Sequence, residues 1–534
     1  MRRGFSGRMK RSSMILALAA AVVLAAGLTS AAGEPRRGGT LRIAVMSVTT
    51  LDPIMTANDP DYAVISQMFN SLVRIGKDGE VIPDLAVSWE NPDDQTWIFK
   101  IRRGVQWHDG NRIFPEGRSR DVTAEDIRYT YELIMKPETK SPFAGALASV
   151  ASMEVPDPYT LVIRTKYPDP FLLDTIRLAG IGIVPKEAYE SLGPAGFARS
   201  PVGSGPFEFV EWMPDDHVTL RRNEDYWKTP YLDRVEFRII PDLTVATLAL
   251  EAGDVDAVLA VPPEDVARLK KDSRFQVYRS SLGFYRGLGF NVQRAPFDDV
   301  RVRKALAMAV NIDAAVANVF GDNAMRAYGQ VGPTLVGHDP ALKELWPYDP
   351  AGAARLLEQA GWRKGADGFW AKEGKRLEVE VKTLNEPGRV RVVTILVTEW
   401  RRFGVDARIN VQETATWISD LQQGNTGVFM DFAFSGATGL HALFHSDNIG
   451  VSNVHFYKNP TVDELLSQGS RILDPRKREV VWKQAQRLIM EDAPVIPLYF
   501  EFGYSATSAK VQGFIPQRWN LNLVSEESNV WLMP

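Results

Sequence analysis

Residues 377–411 restrict the fold more than any other part of the sequence, because patterns of strand, helix and strand follow one another there. Apolar and polar residues alternate over 377–381, as in a strand with one buried face. Residues 393–400 then place apolar side chains at helical spacing, and Gly404 ends this helix before a second apolar run at 405–411. Two strands joined through a helix pair in parallel, with the helix covering the sheet. The sequence therefore predicts an α/β fold.

A strand-to-helix junction lies at residues 288–311, which read LGFNVQRAPFDDVRVRKALAMAVN. Its apolar strand is broken by Pro296, and Asp298 is predicted to be the N-cap of the helix. The helix carries one apolar stripe formed by Val302, Ala305, Leu306, Ala309 and Val310. Arg303 falls off this stripe and is predicted to face solvent. The pattern is typical of a capped helix that packs on a core.

The first 32 residues have the pattern of a secretory signal peptide. Five basic residues precede the apolar stretch Met14–Leu28, and small residues at 30–32 offer a cleavage site. This stretch is shorter than the ~20 residues that a membrane-spanning helix needs. We therefore predict a cleaved signal peptide at 1–32, with an uncleaved membrane anchor as the alternative.

Charge and cysteine content exclude several classes of protein. Removal of residues 1–32 leaves 57 basic and 66 acidic residues, a formal net charge of −9, which disfavours binding to nucleic acid. The chain has no cysteine, so disulfides, thiolate catalysis and cysteine zinc sites are excluded. A bacterial lipid anchor also requires a cysteine, so we expect the protein to be free in the periplasm. Phosphate-loop, GxGxxG, GxSxG and HExxH motifs are absent, and we predict no enzymatic activity and no cofactor.

Three of the six histidines, His441, His445 and His455, lie close together in the sequence. His441 and His445 are spaced i, i+4, so on a helix their imidazoles could share a metal ion. The alternative is a polar loop with solvated histidines, because several glycines disfavour a regular helix here. We predict no metal site and keep these two histidines as the candidates for one.

Eight blocks of the sequence are specific enough to compare with known families. They are LAVSWENPDDQTWIFKIRRGVQWHDG at 85–110 and the blocks at 123–132, 201–212, 222–242, 249–258, 289–311, 348–361 and 491–500. In this order they resemble the bacterial extracellular solute-binding proteins of family 5, which serve peptide, oligopeptide and nickel ABC importers. The resemblance covers nearly all of residues 38–534.

The resemblance implies a two-lobed periplasmic-binding-protein fold of type II, in the large peptide-binding class, with an extra β-rich subdomain at 76–194. Lobe I would combine residues 38–75, 195–292 and 501–534, and lobe II would comprise 293–500. The chain would then leave lobe I through Phe290 and begin lobe II at Asp298. The lobes would close on a ligand and dock on the permease subunits in the inner membrane, the protein itself being a monomer.

The predicted ligand site departs from the family pattern at one point. Peptide binders of this family often carry a Gly-Trp pair followed by an Asp that pairs with the amino terminus of the peptide. Ala437 and Leu440 stand at these positions here. The pocket wall is predicted to contain Tyr62, Tyr285, Phe290, Asn291, Trp417, Ser435, Gly436, His441 and Trp519. The aromatic side chains would stack on the ligand, Asn291 and Ser435 would bind its amides, and His441 would contact an anionic end or a metal.

The function predicted from these observations is capture of an oligopeptide-like solute for an ABC importer. A nickel or other metal complex, an opine or an oligosaccharide on the same scaffold is the alternative ligand. The alternative of another class is a secreted hydrolase that uses a carboxylate pair without a recognisable motif.

Overall fold

The computed structural model describes residues 34–534 except 57, 78, 281–283, 334, 336, 435 and 516–520. The predicted signal peptide at 1–32 lies outside the described residues, as do the predicted ligand contacts Ser435 and Trp519.

The strands are, in chain order, β1 Thr40–Val45, β2 Val73–Ile75, β3 Val81–Pro83, β4 Ala86–Asp93, β5 Thr96–Ile101, β6 Val150–Asp157, β7 Thr160–Thr165, β8 Phe207–Met213, β9 His217–Arg222, β10 Arg234–Ile239, β11 Ala257–Val258, β12 Phe275–Arg279, β13 Phe284–Phe290, β14 Ala324–Arg326, β15 Arg363–Lys364, β16 Trp370–Lys372, β17 Lys375–Arg376, β18 Glu378–Leu384, β19 Asp406–Gln412, β20 Val428–Phe434, β21 Val495–Glu501, β22 Tyr504–Ser508, β23 Val511–Gln512 and β24 Trp531–Leu532.

The α-helices are α1 Asp59–Met68, α2 Ala124–Met135, α3 Leu172–Ala179, α4 Lys186–Phe197, α5 Leu243–Ala252, α6 Pro263–Leu269, α7 Val300–Met308, α8 Ile312–Phe320, α9 Pro350–Gln359, α10 Pro387–Phe403, α11 Thr414–Gln422, α12 Ala437–Phe444, α13 Pro460–Gly469 and α14 Pro475–Asp492.

Two large sheets organise these elements, one in each lobe of an α/β fold. The first sheet has seven strands in the order β12-β22-β11-β1-β10-β9-β8. Within it β1 pairs in parallel with both β10 and β11, whereas the outer strands pair antiparallel. Strands from both ends of the sequence therefore meet in the first lobe.

The second sheet has six strands in the order β14-β21-β13-β20-β18-β19. β18 and β19 run parallel along seven residue pairs, from Glu378↔Asp406 to Leu384↔Gln412. α10 connects them and buries Val392, Leu396 and Trp400. The predicted β-α-β unit is thus confirmed, with its helix packed on the core of the second sheet.

The described residues that flank two passages of the chain between the sheets are paired with one another. β12 ends at Arg279 in the first sheet, and β13 begins at Phe284 in the second. On the return, β21 ends at Glu501 and β22 begins at Tyr504. The ladders β12–β22 and β13–β21 are both antiparallel, and a bond between the crossing segments joins the Ser280 N–H to the Gly503 carbonyl at 2.9 Å. We call these paired strands on either side of the passages, β12–β22 and β13–β21, the ribbon, and a connection of this form is suited to hinge bending.

The predicted crossing from Phe290 to Asp298 is wrong. β13 pairs with β20 and β21, so residues 284–290, which we placed in lobe I, belong to the second sheet. The strand pattern at 288–292 shows that a strand exists but carries no information about which sheet it joins.

The β-rich part of the chain forms a four-stranded antiparallel sheet in the order β4-β5-β7-β6. α2 packs on this sheet, and its N-terminus carries the capping box formed by Thr123 and Asp126. Phe99 and Ile163 from this sheet lie in one continuous core with Leu41 and Phe237 from the first sheet. The β-rich part is therefore packed against the first lobe.

The junction at 288–311 differs from its prediction at two side chains. The N-cap is Asp299, whose carboxylate accepts from the Arg301 N–H at 2.9 Å, and Asp298 precedes it. All members of the apolar stripe are buried, as predicted. Arg303 is also buried, because its guanidinium donates to the Asp492 and Ala493 carbonyls at the end of α14. Carbonyls at the end of a helix lack N–H donors within the helix, and the Arg303 guanidinium donates to these two instead.

Within the described part of the chain, no single helix has the length and apolar character needed to span a membrane. The bent pair Val300–Met308 and Ile312–Asn323, with 53° between its helices, passes that test by length and composition alone. Its apolar residues lie in the core of the second lobe.

Candidate functional site

A cavity of about 620 Å³ lies where the carboxyl ends of three parallel strands reach the crossing segments. Its wall in the first lobe follows the ends of β1, β10 and β11 through Ser47, Ile240 and Ala260. Ligands in open α/β sheets bind outside the carboxyl ends of the strands, and the volume is typical of small-molecule sites. We call this space the cleft cavity. It is lined by Ala44, Val45, Met46, Ser47, Asn58, Asp59, Pro60, Ala63, Ile240, Leu243, Ala246, Val258, Leu259, Ala260, Val261, Pro263, Ser280, Arg286, Glu501, Phe502, Gly503, Tyr504, Ser505 and Leu521.

An ion pair on the ribbon between the lobes forms the charged part of the cleft cavity. Arg286 on β13 donates from Nη2 to Oε2 of Glu501, at the end of β21, over 2.8 Å. Arg389 at the start of α10 lies nearby, and its Nε is 2.7 Å from Oε2 of Glu386. Burial and the neighbouring charge of Arg286 lower the pKa of Arg389, because both oppose its charged form. Arg286 thus lines one end of the cavity, and a second buried arginine, Arg389, lies close behind it.

The lobes also touch away from the ribbon, at what we call the lobe contact, formed by Phe171, Arg478 and Trp482. Phe171 precedes α3, whose residues Leu172 and Ile176 lie in the core of the first lobe. Its ring meets the Trp482 ring at 6.3 Å between centroids and 66° between planes. The Arg478 guanidinium lies 4.8 Å from the Phe171 centroid. These side chains connect the first lobe to α14 of the second.

Phe171→Ala is expected to shift the lobes towards an open arrangement. An edge-to-face ring pair contributes about 0.5–1.5 kcal/mol, and a cation–π contact from a buried cation such as Arg478 contributes up to about 2 kcal/mol, so the closed state loses at least on the order of tenfold in population. We expect a larger radius of gyration in small-angle X-ray scattering and roughly tenfold faster ligand release in stopped-flow measurements.

Phe369→Ala is the matched control, since Arg376 lies 4.3 Å over that ring and both belong to the second lobe. Equal scattering profiles for Phe171→Ala and the unchanged protein would show that the contact does not hold the lobes together.

Three of the predicted ligand contacts are core residues in this structure. Tyr62 is buried on α1, edge-on to Phe143 at 6.0 Å, and burial raises the pKa of its hydroxyl. Tyr285 is fully buried beneath α12–α14, with its ring 5.9 Å from that of Phe500. Phe290 packs on Phe297 at 5.6 Å in the core of the second lobe. Core packing accounts for their positions, and a ligand role for them stays a prediction.

The other described candidates lie in the second lobe away from the walls of the cleft cavity. Asn291 organises a turn, because its amide donates to the Gly424 carbonyl at 3.2 Å and its oxygen accepts from the Gln293 N–H. Trp417 is buried with Leu421 on α11. Gly436 is the N-cap of α12 and has φ 139°. None of these three lines the cleft cavity, and a ligand role for them stays a prediction.

His441 lies in the last turn of α12, and His445 is the C-cap that follows the helix with extended backbone, so only His441 is helical. Their rings stack at 4.5 Å between centroids with planes 18° apart, so their nitrogen lone pairs run side by side and do not converge on one point. Both nitrogens of His445 already have partners, the Ser467 hydroxyl at 3.1 Å and the Asp447 N–H at 3.2 Å. Burial, and then the neighbouring His445, lower the pKa of His441. The described residues contain no cluster of three or more metal-binding side chains.

The sequence reasoning missed the polar residues of the ribbon. Arg286 is preceded by an aromatic and followed by glycine, and Glu501 follows an apolar strand, so neither has a local motif. A signal existed in the charge itself, since a lone arginine or glutamate inside an apolar strand must find a partner when it is buried. The pairing of β13 with β21 brings the two together.

The geometry agrees with comparisons to known proteins. A family profile described as bacterial extracellular solute-binding proteins, family 5 Middle, matches residues 80–448, more than half of the chain. Heme-binding protein A of Haemophilus influenzae is 29% identical over 474 residues, which cover 84% of each chain. Di/tripeptide-binding protein 1 of Pseudomonas aeruginosa is 27% identical over 547 residues, covering 97% of this chain and 99% of the relative.

Solved structures share the fold. HbpA2 from Haemophilus parasuis superposes with a TM-score of 0.81 at 24% identity, covering 93% of this chain and all of the other. The two sheets, the ribbon and the β-rich part therefore form a two-lobed binding-protein fold. The chain belongs to the bacterial extracellular solute-binding proteins of family 5.

Proposed function

We propose that the protein captures an oligopeptide-like solute between its two lobes and delivers it to the permease of an ABC importer. The observation that carries this proposal is the cleft cavity, which lies at the carboxyl ends of parallel strands and against the ribbon joining the lobes. Closing two lobes over such a cavity removes the solute from water and strengthens each polar contact to it. Family membership supports solute binding over catalysis.

The lining of the cleft cavity suits a short peptide. Apolar walls such as Ala246 and Val261 can take side chains, while Ser47 and Asn58 offer hydrogen-bonding groups to a peptide backbone. The ion pair of Arg286 and Glu501 offers charges to the ends of the peptide. A di/tripeptide-binding protein is among the relatives that align over almost the whole chain, and this supports the same class of ligand here.

Location and partners follow from the same proposal. The pattern at 1–32 would direct export, after which the signal peptide is removed and the protein acts as a monomer in the periplasm. Metal complexes, opines and oligosaccharides are the ligands that compete with peptides. The stacked arrangement of His441 and His445 gives no support to a metal held between them.

Ala260→Trp is expected to weaken solute binding strongly without unfolding the protein. Ala260 is exposed and lines the cleft cavity, so an indole placed there fills the space that a solute needs. We expect at least a tenfold loss of affinity in isothermal titration with dipeptides and tripeptides, together with an unchanged melting temperature.

Ala351→Trp places the same indole on an exposed position of α9 and serves as the control. Undiminished peptide binding by Ala260→Trp would contradict the assignment of this cavity. Mass spectrometry of small molecules that co-purify with the unchanged protein identifies the solute, and a recovered metal complex or sugar would overturn the peptide proposal.

A further inference from the structure

We propose that Arg286 sets the specificity of the cleft cavity by receiving a carboxylate of the solute in exchange for Glu501. The inference rests on the proposed function only in that the solute occupies this cavity. Glu501 shows how such a group would sit, because its carboxylate lies 2.8 Å from the Arg286 guanidinium and both residues line the cavity. The carboxylate of Glu501 thus occupies the position that a ligand carboxylate would take.

The two partners of this pair differ in how firmly they are held. The Arg286 side chain is 8% exposed and lies on β13, which has β20 on one side and β21 on the other. The Glu501 side chain is 33% exposed and sits at the last residue of β21. The Glu501 carboxylate can therefore turn into water and be solvated there, whereas the Arg286 guanidinium stays enclosed by the neighbouring strands.

The neighbouring pair repeats the same asymmetry. Arg389 is 6% exposed at its side chain, while its partner Glu386 is 48% exposed. The positive charges at this end of the cavity are thus buried and fixed, and the negative charges are accessible to water. Arginine remains charged at every physiological pH, so the buried pair of guanidinium groups continuously favours an anion beside it. An arriving carboxylate would meet the Arg286 guanidinium, with the charge of Arg389 behind it, and would have one movable competitor to displace, Glu501.

The backbone at Arg286 has a local irregularity. The register between β13 and β21 shifts between Arg286 and Gly287. Such bulges redirect a side chain and are frequent beside binding sites. Gly287 is required there, since a Cβ would lie 2.5 Å from the Tyr285 hydroxyl and 2.8 Å from Cγ2 of Val495. The strand is thus shaped at the residue that presents the guanidinium to the cavity.

The chemical class that follows is a solute with a free carboxylate. A guanidinium binds a carboxylate through two parallel N–H donors, which an amide or a hydroxyl cannot reproduce. A peptide with a free carboxyl terminus has this group, and a neutral oligosaccharide or a carboxy-amidated peptide lacks it.

The first test needs no knowledge of the natural ligand. The melting temperature of the full chain is measured against sodium propionate, with sodium chloride at equal ionic strength as reference. We expect propionate to stabilise the unchanged protein, to lose this effect in Arg286→Gln, and to bind several-fold more tightly in Glu501→Gln, where the resident competitor is gone. Arg408→Gln, at an exposed arginine paired with Glu380, is the control and should behave as the unchanged protein.

The two variants predict changes in opposite directions, so general damage to the fold cannot imitate the result. No stabilisation by propionate, equal stabilisation of Arg286→Gln, or unchanged affinity in Glu501→Gln would each overturn the proposal.

The second test separates this inference from the proposed function. Dipeptides and tripeptides are titrated beside the same sequences with an amidated carboxyl terminus. We expect the amides to bind on the order of 30-fold more weakly to the unchanged protein and the difference to vanish in Arg286→Gln. Equal binding of acids and amides overturns the role of Arg286 while leaving the peptide function intact. Binding of propionate through Arg286 without any peptide binding instead overturns the peptide function and leaves the carboxylate subsite standing.

Discussion

Asparagine in place of Asp84 is expected to lower the free energy of unfolding by about 3–5 kcal/mol. Both Asp84 and its partner Arg74 are buried, with Arg74 Nε 2.7 Å from Asp84 Oδ2. The same carboxylate accepts from the Asn70 amide at 2.6 Å and the Ser71 N–H at 2.7 Å. An asparagine side chain keeps the volume but leaves the buried guanidinium without a counter-charge and turns an N–H₂ group towards donors. Urea unfolding followed by tryptophan fluorescence measures the loss.

The effect should extend to both ends of the sequence, because Arg74 also donates to the Asn522 side chain at 2.9 Å. That bond connects β2, which carries Arg74, to the carboxyl-terminal segment of the same lobe. Asp94→Asn in the exposed turn between β4 and β5 is the control, and a change within about 0.5 kcal/mol is expected there. A loss below 1 kcal/mol for Asp84→Asn would mean that the pair contributes little beyond its volume.

The sequence predicted those parts of the fold whose signals are local. The β-α-β unit at 377–411 follows from two residue periodicities, and the apolar stripe of α7 from one. Each depends on which face of a single element is apolar, and that is written in neighbouring residues. The two lobes and the β-rich part came from the family resemblance instead, because sheet order depends on contacts between distant segments.

The placement of β13 shows where local signals end. Its alternation fits either sheet, and only pairing with β20 and β21 decides the matter. The prediction that Arg303 faces solvent was wrong for a related reason, since its hydrogen-bond partners are carbonyls nearly two hundred residues away at the end of α14. A charged residue off an apolar stripe is usually solvated, but the open end of another helix can bury it.

The candidate site was the least predictable part of the molecule. Aromatic residues such as Phe290 and Trp417 were natural choices for a ligand wall, yet their composition signal is the same as that of a core residue. The cleft cavity is instead lined largely by small and aliphatic residues near strand ends, together with Arg286, Glu501, Phe502 and Tyr504. Small residues at strand ends have no chemical motif, so they become recognisable only when topology brings the strand ends together.

His108 is expected to make the protein lose about 3 kcal/mol of stability between pH 6.5 and pH 4. Burial is the main cause that lowers the pKa of His108 from 6.5 to about 4, although a contact between its Nε2 and the Gly205 carbonyl at 2.9 Å opposes the shift. Above pH 6.5 the imidazole is neutral in both states, so its contribution to stability is fully present there. Below pH 6.5 the unfolded chain gains a proton that the folded chain refuses until about pH 4, which costs about 1.4 kcal/mol per pH unit.

His108→Gln keeps a side-chain N–H for the Gly205 carbonyl but cannot titrate, so this slope should disappear in urea unfolding measured from pH 8 to pH 4. His217 provides a control of opposite sign. Its own burial lowers its pKa, but hydrogen bonds to the carboxylates of Asp216 and Glu211 outweigh that effect and raise it. Its stabilising contribution is therefore present below pH 6.5 and lost at higher pH. His217→Gln should therefore have a lower free energy of unfolding than the unchanged protein only in acid. Parallel pH profiles for the unchanged protein and His108→Gln would contradict a neutral, buried imidazole at position 108.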